Sequence, residues 1–198
     1  MKATDEVSAT AFNAAVRVHD GTGIDVQTWL IPRNADHETV RAWIEQRHCL
    51  TQKRKARISL PACLIEVQPV DRDRWCDAIY DLGADVPYVC WAIEPTSDHI
   101  VIAAGRRLAA YHIAPAKRLF ETQADYPFSA VVFVPGSGGF IGVHELGATR
   151  YSLGGSEEWQ YLHDEPIART RLQAGQLTIE DLDGHSASID IRDGKLLR

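Results

Sequence analysis

Several features that assign a chain to a specialised class are missing from this sequence. The longest near-continuous apolar run, residues 86–93, is far shorter than the roughly 20 residues of a membrane-spanning helix. The first six residues, M-K-A-T-D-E, lack the apolar core of a secretory signal. We therefore expect a cytoplasmic protein with no membrane partner.

Cysteine pairs of the C-x-x-C type are also missing. The four cysteines are spaced 13 or 14 residues apart among apolar or aromatic neighbours, and they are Cys49, Cys63, Cys76 and Cys90. This spacing is too wide for a local zinc knuckle. We expect four buried, reduced thiols, which is typical of a reducing compartment.

Basic residues are fewer than acidic residues. Lys and Arg total 21 against 27 Asp and Glu, giving the 198-residue chain a net charge of −6, which argues against phosphate-driven binding of nucleic acid. The dense basic run at residues 53–57 has no interleaved aromatic residue and is typical of a solvated loop. Lysine is scarce beside arginine and alanine, a composition that indicates a bacterial source.

The first 84 residues are predicted to be a mixed α/β segment of order ββαβα. Residues 10–32 have the pattern of a β-hairpin with a turn at residues 20–23. Asp36 is a suitable N-cap for a helix that continues to about His48. A strand over residues 57–67 follows, and a second helix then begins at Asp71, carries i, i+4 apolar pairs and ends at Gly83.

From residue 85 to 198 the sequence changes to short β-rich runs separated by Gly and Pro. Asp-x-Pro triplets begin at Asp85, Asp125 and Asp164, and each precedes an apolar strand and a glycine turn. This pattern predicts an antiparallel β-meander of about three blade-like repeats. We therefore assign the chain to the α+β class, predominantly β, with both segments packed as one structural unit.

Residues 97–198 resemble the blades of quinoprotein-type (tryptophan-docking) β-propellers. In such blades an Asp and a Gly precede a Trp that docks on the neighbouring blade, and Gly155 with Trp159 and Asp190 with Gly194 match those positions. The resemblance implies a curved repeat sheet. It does not imply the family's chemistry, because nothing in the sequence matches a quinone or calcium site. Three blades are also too few to close a ring, which takes roughly four to eight.

Motifs for catalysis, cofactors and metals are incomplete, so we expect a non-enzymatic protein with no cofactor. The glycine-rich residues 135–139 fit a hairpin turn, and His144-Glu145 lacks the second His of a zinc helix motif and is interpreted as surface polar residues. An alternative remains. A small-ligand-binding protein or enzyme would place a site with His99, His112 and His144 between the α/β half and the β-sheet, with Ser137 or Asp125 near the same edge.

The segment from residue 154 to 166 combines carboxylates with aromatic rings. Aromatic anchors beside acids suit docking onto a basic protein surface, although the two larger rings also fit the packed face of a blade strand. The predicted protein-binding residues are Glu157, Glu158, Trp159, Tyr161, His163, Asp164 and Glu165. By type, the chain is similar to small acidic bacterial immunity proteins, and we expect it to bind and neutralise a basic, toxin-like partner.

Overall fold

The structure is a computed structural model. It describes residues 13–19 (backbone only), 24–32, 35–47, 49–50, 61, 63–69, 71–80, 89–94, 98–136 and 138–197. These ranges contain sixteen strands and one α-helix, so the predominantly β prediction is confirmed. The predicted basic run at 53–57, the first Asp-x-Pro triplet at residue 85, Gly83 and Ser137 lie outside the described residues.

The strands form four sheets of four, and in each sheet the strands follow one another in chain order. The first sheet contains β1 (Asn13–His19), β2 (Ile24–Leu30), β3 (Cys63–Pro69) and β4 (Trp75–Ile79), with helix α1 (His37–Gln46) between β2 and β3. The second contains β5 (Val89–Glu94), β6 (His99–Ala104), β7 (Arg107–His112) and β8 (Lys117–Gln123). The third contains β9 (Phe128–Val134), β10 (Gly139–His144), β11 (Gly147–Ser152) and β12 (Glu157–Leu162). The fourth contains β13 (Ile167–Gln173), β14 (Gln176–Asp181), β15 (Ser186–Asp190) and β16 (Leu196–Leu197).

The N-terminal segment is ββαββ, so the predicted second helix is wrong. Residues 75–79 form β4, which pairs antiparallel with β3. Trp75 and Ile79 face the second sheet, whereas Cys76 and Tyr80 face α1. Residues four apart share a face in a strand as well as in a helix, because four is an even number. The i, i+4 pairs therefore fit both structures.

The hairpin and the first helix are confirmed. Strands β1 and β2 pair antiparallel. Helix α1 begins where the Asp36 carboxylate accepts a hydrogen bond from the Thr39 amide at 2.8 Å, which satisfies one of the free amides of the first turn. The buried residues Val40, Trp43 and Ile44 form its apolar stripe.

The number of repeats is four rather than three, and each has four strands. The N-terminal segment supplies the additional sheet, with α1 inserted in it. The predicted glycine turns are not at equivalent positions in the repeats. Gly105 lies in the β6–β7 turn, the second of its sheet, whereas Gly136 and Gly138 lie in the β9–β10 turn and Gly175 lies in the β13–β14 turn, each the first of its sheet.

Two cysteines are joined rather than reduced. Cys49, which follows α1, forms a disulfide with Cys76 of β4, which corrects the prediction of four free thiols. Their Cα atoms are 4.6 Å apart although 27 residues separate them, a proximity that sequence spacing does not show. Cys63 and Cys90 are free thiols, and burial raises the pKa of Cys90 to about 12.

Apolar clusters hold the sheets together in a row. One lies between the first and second sheets, one between the second and third, and one between the third and fourth. A further cluster joins the outer face of the first sheet to α1. Among the described residues, no apolar cluster joins the first sheet to the fourth. Each inner sheet therefore contributes both of its faces to packing.

The outward face of the fourth sheet is polar. Cross-strand pairing places Arg171 beside Thr178 and Thr178 beside Ser188, whereas Leu177 and Ile189 face the third sheet. This alternation is that of a sheet with one face in the core and one in water. The two ends of the row thus differ: α1 covers the outer face of the first sheet, whereas polar side chains form the outer face of the fourth.

Candidate interaction site on the outer strand of the third sheet

Trp159 of β12 docks onto the fourth sheet. Its indole Nε1–H donates a hydrogen bond to the carbonyl oxygen of Ile191 at 2.9 Å. The ring lies against Gly194, where an added Cβ would be 2.9 Å from Cδ2 and Cγ. The sequence resemblance implied that the tryptophan docks on the neighbouring repeat, and the structure contains this docking. The resemblance did not specify that the ring contacts a glycine.

A phenylalanine makes the equivalent contact one repeat earlier. An added Cβ on Gly155 would be 2.6 Å from Cγ of Phe120, which lies on β8 of the second sheet. Phe120 also stacks on Phe140, with ring centroids 5.8 Å apart. The aromatic-on-glycine contact therefore recurs at two sheet junctions, and sequence reasoning missed the first because the ring there is not tryptophan.

The carboxylates of the predicted site are exposed. Glu157, Asp164 and Glu165 are exposed to solvent, and Glu158 pairs with the buried Arg150 through an Nε–Oε2 contact of 2.5 Å. The charge of Arg150 offsets that of Glu158, so Glu157, Asp164 and Glu165 supply most of the negative potential of this segment. The accessible part of the predicted site is its acidic part.

The two rings of the predicted site belong to the core. Trp159 and Tyr161 point from β12 to the apolar cluster shared by the third and fourth sheets, and both are half-buried. They pack against this cluster, as the sequence analysis allowed. Any partner that contacts the acids meets only the exposed edges of these rings.

A hydrogen-bonded chain connects Tyr161, His163 and Asp181. The Tyr161 hydroxyl lies 2.9 Å from Nδ1 of His163, and Nε2 of His163 lies 3.2 Å from Oδ2 of Asp181. Desolvation opposes ionisation of Asp181. Hydrogen bonds from the His185 amide and the two histidine rings outweigh it and hold the pKa of Asp181 below its ordinary value. Burial raises the pKa of Tyr161. The chain ties the end of β12 to the end of β14.

The three histidines of the alternative site are not brought together. His99 and His112 are cross-strand partners with ring centroids 4.2 Å apart, as expected. His99 is the first residue of β6, whereas His144 is the last residue of β10, the equivalent strand of the next sheet. They therefore lie at opposite ends of equivalent strands. The described residues contain no group of three metal-ligating side chains.

His144 is buried, not the surface residue that the sequence predicted. Its side chain is 2% exposed because the last residue of β10 is covered by Tyr126, whose ring stacks on it at a centroid distance of 5.7 Å. Its neighbour Glu145 is exposed. The two residues thus face opposite ways, but alternation alone does not tell which of them faces inward.

A cavity of about 320 Å³ lies beside His144. Its walls come from the β8–β9 connection and from β10, β11 and β12. Asp125 and Glu157 contribute carboxylates to the lining, and Tyr126 contributes an aromatic ring. The sequence analysis placed Glu157 in an interaction site and Asp125 in a histidine site, but it did not place the two in one cavity. Asp125 comes from the β8–β9 connection and Glu157 from β12, the edge strand of the third sheet that is farthest from β9.

Comparison with known proteins gives the fold class. No protein-family model matches the chain, and no curated protein matches it. Among solved structures, BamB from Moraxella catarrhalis is similar with a TM-score of 0.55 and 15% identity, over 71% of this chain and 44% of that one. Residues 644–1017 of HIRA match with a TM-score of 0.53 and 10% identity, over 93% and 52%. A chain of the Mitotic Checkpoint Complex matches with a TM-score of 0.50 and 14% identity, over 63% and 42%.

These neighbours are propeller-like, and the row of four-stranded meanders is therefore a propeller-like arrangement. The chain spans about half the length, or less, of each of the three. In the part of the chain that the structure describes, no helix is long and apolar enough to cross a membrane.

Proposed function

We propose that this chain is a non-enzymatic protein-binding module of the immunity type, which binds and neutralises a basic, toxin-like partner. The observation that carries the proposal is the exposed acidic edge formed by Glu157, Asp164 and Glu165 at and just after β12. A net charge of −6 adds long-range attraction for a basic protein.

The fold supports a scaffold of this kind. A row of meanders presents a broad, preformed surface, and binding to it costs little ordering of the backbone. One structural neighbour comes from a multi-protein assembly, which supports interaction as the use of such a surface. The hydrogen-bonded chain from Tyr161 through His163 to Asp181 holds the strand end that leads to the acids.

Charge reversal tests the acidic edge. Tagged protein is used for capture from the native host at moderate salt, as wild type and as the double variant Asp164→Lys with Glu165→Lys. The matched control is Glu45→Lys with Asp73→Lys, which changes the net charge equally at exposed positions on α1 and the β3–β4 turn. We expect one stoichiometric basic protein with the wild type and the control, and its loss with the double variant.

Equal capture by all three proteins contradicts the acidic edge as the binding site. The immunity refinement has its own test: the captured protein is expressed alone and together with this chain in a host cell. We expect growth arrest in the first case and growth in the second. A captured protein that has no effect on growth contradicts the toxin partner but not the binding module.

A further inference from the structure

The cavity beside His144 has a lining suited to a cation. Among the described residues that line it, Asp125 and Glu157 are the carboxylates, and none is a lysine or an arginine. Glutamine side chains and a threonine hydroxyl complete the polar wall, and the polar members are Gln123, Gln160 and Thr149. Two carboxylates on one lining give the cavity a negative potential, which favours a cation.

His144 gives a second, independent indication of a ligand. Among the described residues its Nδ1 atom is buried without a hydrogen-bond partner, and the residue is only 2% exposed. Buried polar atoms in folded proteins are nearly always paired. Burial lowers the pKa of His144, although the charge of Asp125 opposes the shift. An imidazole nitrogen that carries no proton can accept a hydrogen bond from an N–H donor.

The aromatic ring of Tyr126 indicates the shape of the cation. One face of the ring stacks on His144 at an interplanar angle of 19°, and the residue is 37% exposed. A planar guanidinium stacks on an aromatic ring and donates to several acceptors in one plane, whereas an ammonium is a compact point charge. Two carboxylates, an imidazole and a ring match the guanidinium better.

We propose that this cavity binds an arginine side chain of the protein partner. The proposal rests on the protein-binding function argued above and adds a specific anchor to it. The exposed acids Asp164 and Glu165 steer the approach of a basic surface, and the cavity holds one arginine of that surface between Asp125 and Glu157. A buried arginine anchor is typical of the residues that dominate binding energy in interfaces.

The test uses a small probe, so that it does not depend on the identity of the partner. Nα-acetyl-arginine methylamide is titrated into full-length protein labelled with ¹⁵N-histidine, and the side-chain resonances of His144 are followed. The corresponding citrulline compound, which is neutral and has the same shape, and the lysine compound are the control probes. We expect a saturable shift of the His144 resonances with arginine, weaker binding of lysine and no shift with citrulline.

Two double variants locate the effect. Asp125→Asn with Glu157→Gln removes both charges from the cavity, and we expect binding of arginine to weaken at least about tenfold. Glu45→Gln with Asp73→Asn removes two exposed acids on α1 and the β3–β4 turn, outside the cavity, and is expected to bind arginine as the wild type does. The dispersion of the histidine spectrum reports folding of every variant in the same experiment.

Unmoved His144 resonances, an equal response to citrulline, or equal binding of lysine overturns the arginine site. Such a result leaves capture of a partner by the acidic edge unaffected, because the titration contains no partner. Conversely, a saturable arginine shift combined with failure to capture a partner supports the arginine site but not capture by the acidic edge.

Discussion

Gly194 and Trp159 are in contact so close that a Cβ atom on Gly194 would lie 2.9 Å from the indole ring. Position 194 also has a φ of +73°, a left-handed conformation in which glycine has no steric penalty. The glycine therefore serves two purposes, since it permits the turn and leaves room for the ring. Both are needed for the third sheet to join the fourth.

Replacement of Gly194 by alanine is expected to destabilise the protein by about 2–4 kcal/mol, from backbone strain and from the clash with the ring. The matched control is Gly175→Ala. Gly175 has a φ of +81° and open space around its Cβ position, so only the strain of about 1–2 kcal/mol applies. Urea unfolding monitored by tryptophan fluorescence gives both values. Equal losses for the two variants contradict the docking contact.

The sequence resemblance implied that Trp159 docks on the neighbouring repeat but did not indicate the equivalent role of Phe120, and the difference has a physical cause. The spacing of Gly155, Trp159 and Gly194 is visible because tryptophan and glycine are rare enough to mark a pattern. A phenylalanine with the same role does not stand out among other apolar residues. Residues 75–80 were misassigned for a related reason, because even spacing fits a strand and a helix alike.

The cavity was not predictable from local pattern. His144 and Glu145 are adjacent polar residues at one strand end, and only His144 is buried, beneath the ring of Tyr126 from the β8–β9 connection. Asp125 and Glu157 line one cavity although the β8–β9 connection and β12 are well separated along the chain. Local sequence patterns reflect interactions between neighbours along the chain, whereas the lining of this cavity depends on contacts between different sheets.

A buried ion pair joins the first two sheets. Arg118 of β8 donates from Nε to Oδ2 of Asp77 at 2.8 Å and also pairs with Glu121. Asp77 on β4 is fully buried and accepts a further bond from the Ala78 amide. Removal of the cation leaves a buried carboxylate without its counter-charge, and this is costly because water cannot reach it.

Arg118→Met is accordingly expected to cost about 3–5 kcal/mol of stability. The double variant Asp77→Asn with Arg118→Met removes the orphaned charge as well, and we expect it to be more stable than Arg118→Met alone. Denaturant unfolding of the wild type, both single variants and the double variant completes a thermodynamic cycle. Additive losses across the cycle contradict a direct Asp77–Arg118 interaction.

The disulfide between Cys49 and Cys76 can be tested by counting the thiols that react before and after reduction. Two of the four cysteines are expected to react with a thiol reagent in unfolded, unreduced protein, and all four after reduction. Reduction is expected to lower stability by about 3–4 kcal/mol, because a bond across 27 residues restricts the unfolded chain. Cys90→Ser is the control, because it lacks one of the two free thiols but keeps the disulfide. Four reactive thiols before reduction contradict the pairing.

Acid sensitivity is expected at Asp181, the end of the hydrogen-bonded chain from Tyr161. Hydrogen bonds from the His185 amide and from the rings of His163 and His185 overcome desolvation and lower the pKa of Asp181 in the folded protein. A carboxyl whose pKa is lower in the folded than in the unfolded state stabilises the fold above the unfolded value. That contribution disappears as the pH falls through the folded value. The affected window therefore lies below about pH 4.

Asp181→Asn is expected to be less stable than the wild type at pH 7, with a difference that shrinks as the pH falls below about 4. Protonation of the carboxyl makes the wild type resemble the variant. Asp183→Asn is the matched control, because Asp183 contacts Asp181 through its backbone amide, which the substitution retains. Thermal unfolding of the three proteins across this pH range provides the comparison. A difference between wild type and Asp181→Asn that stays constant with pH would show that the carboxylate charge does not stabilise the junction of β12 with β14.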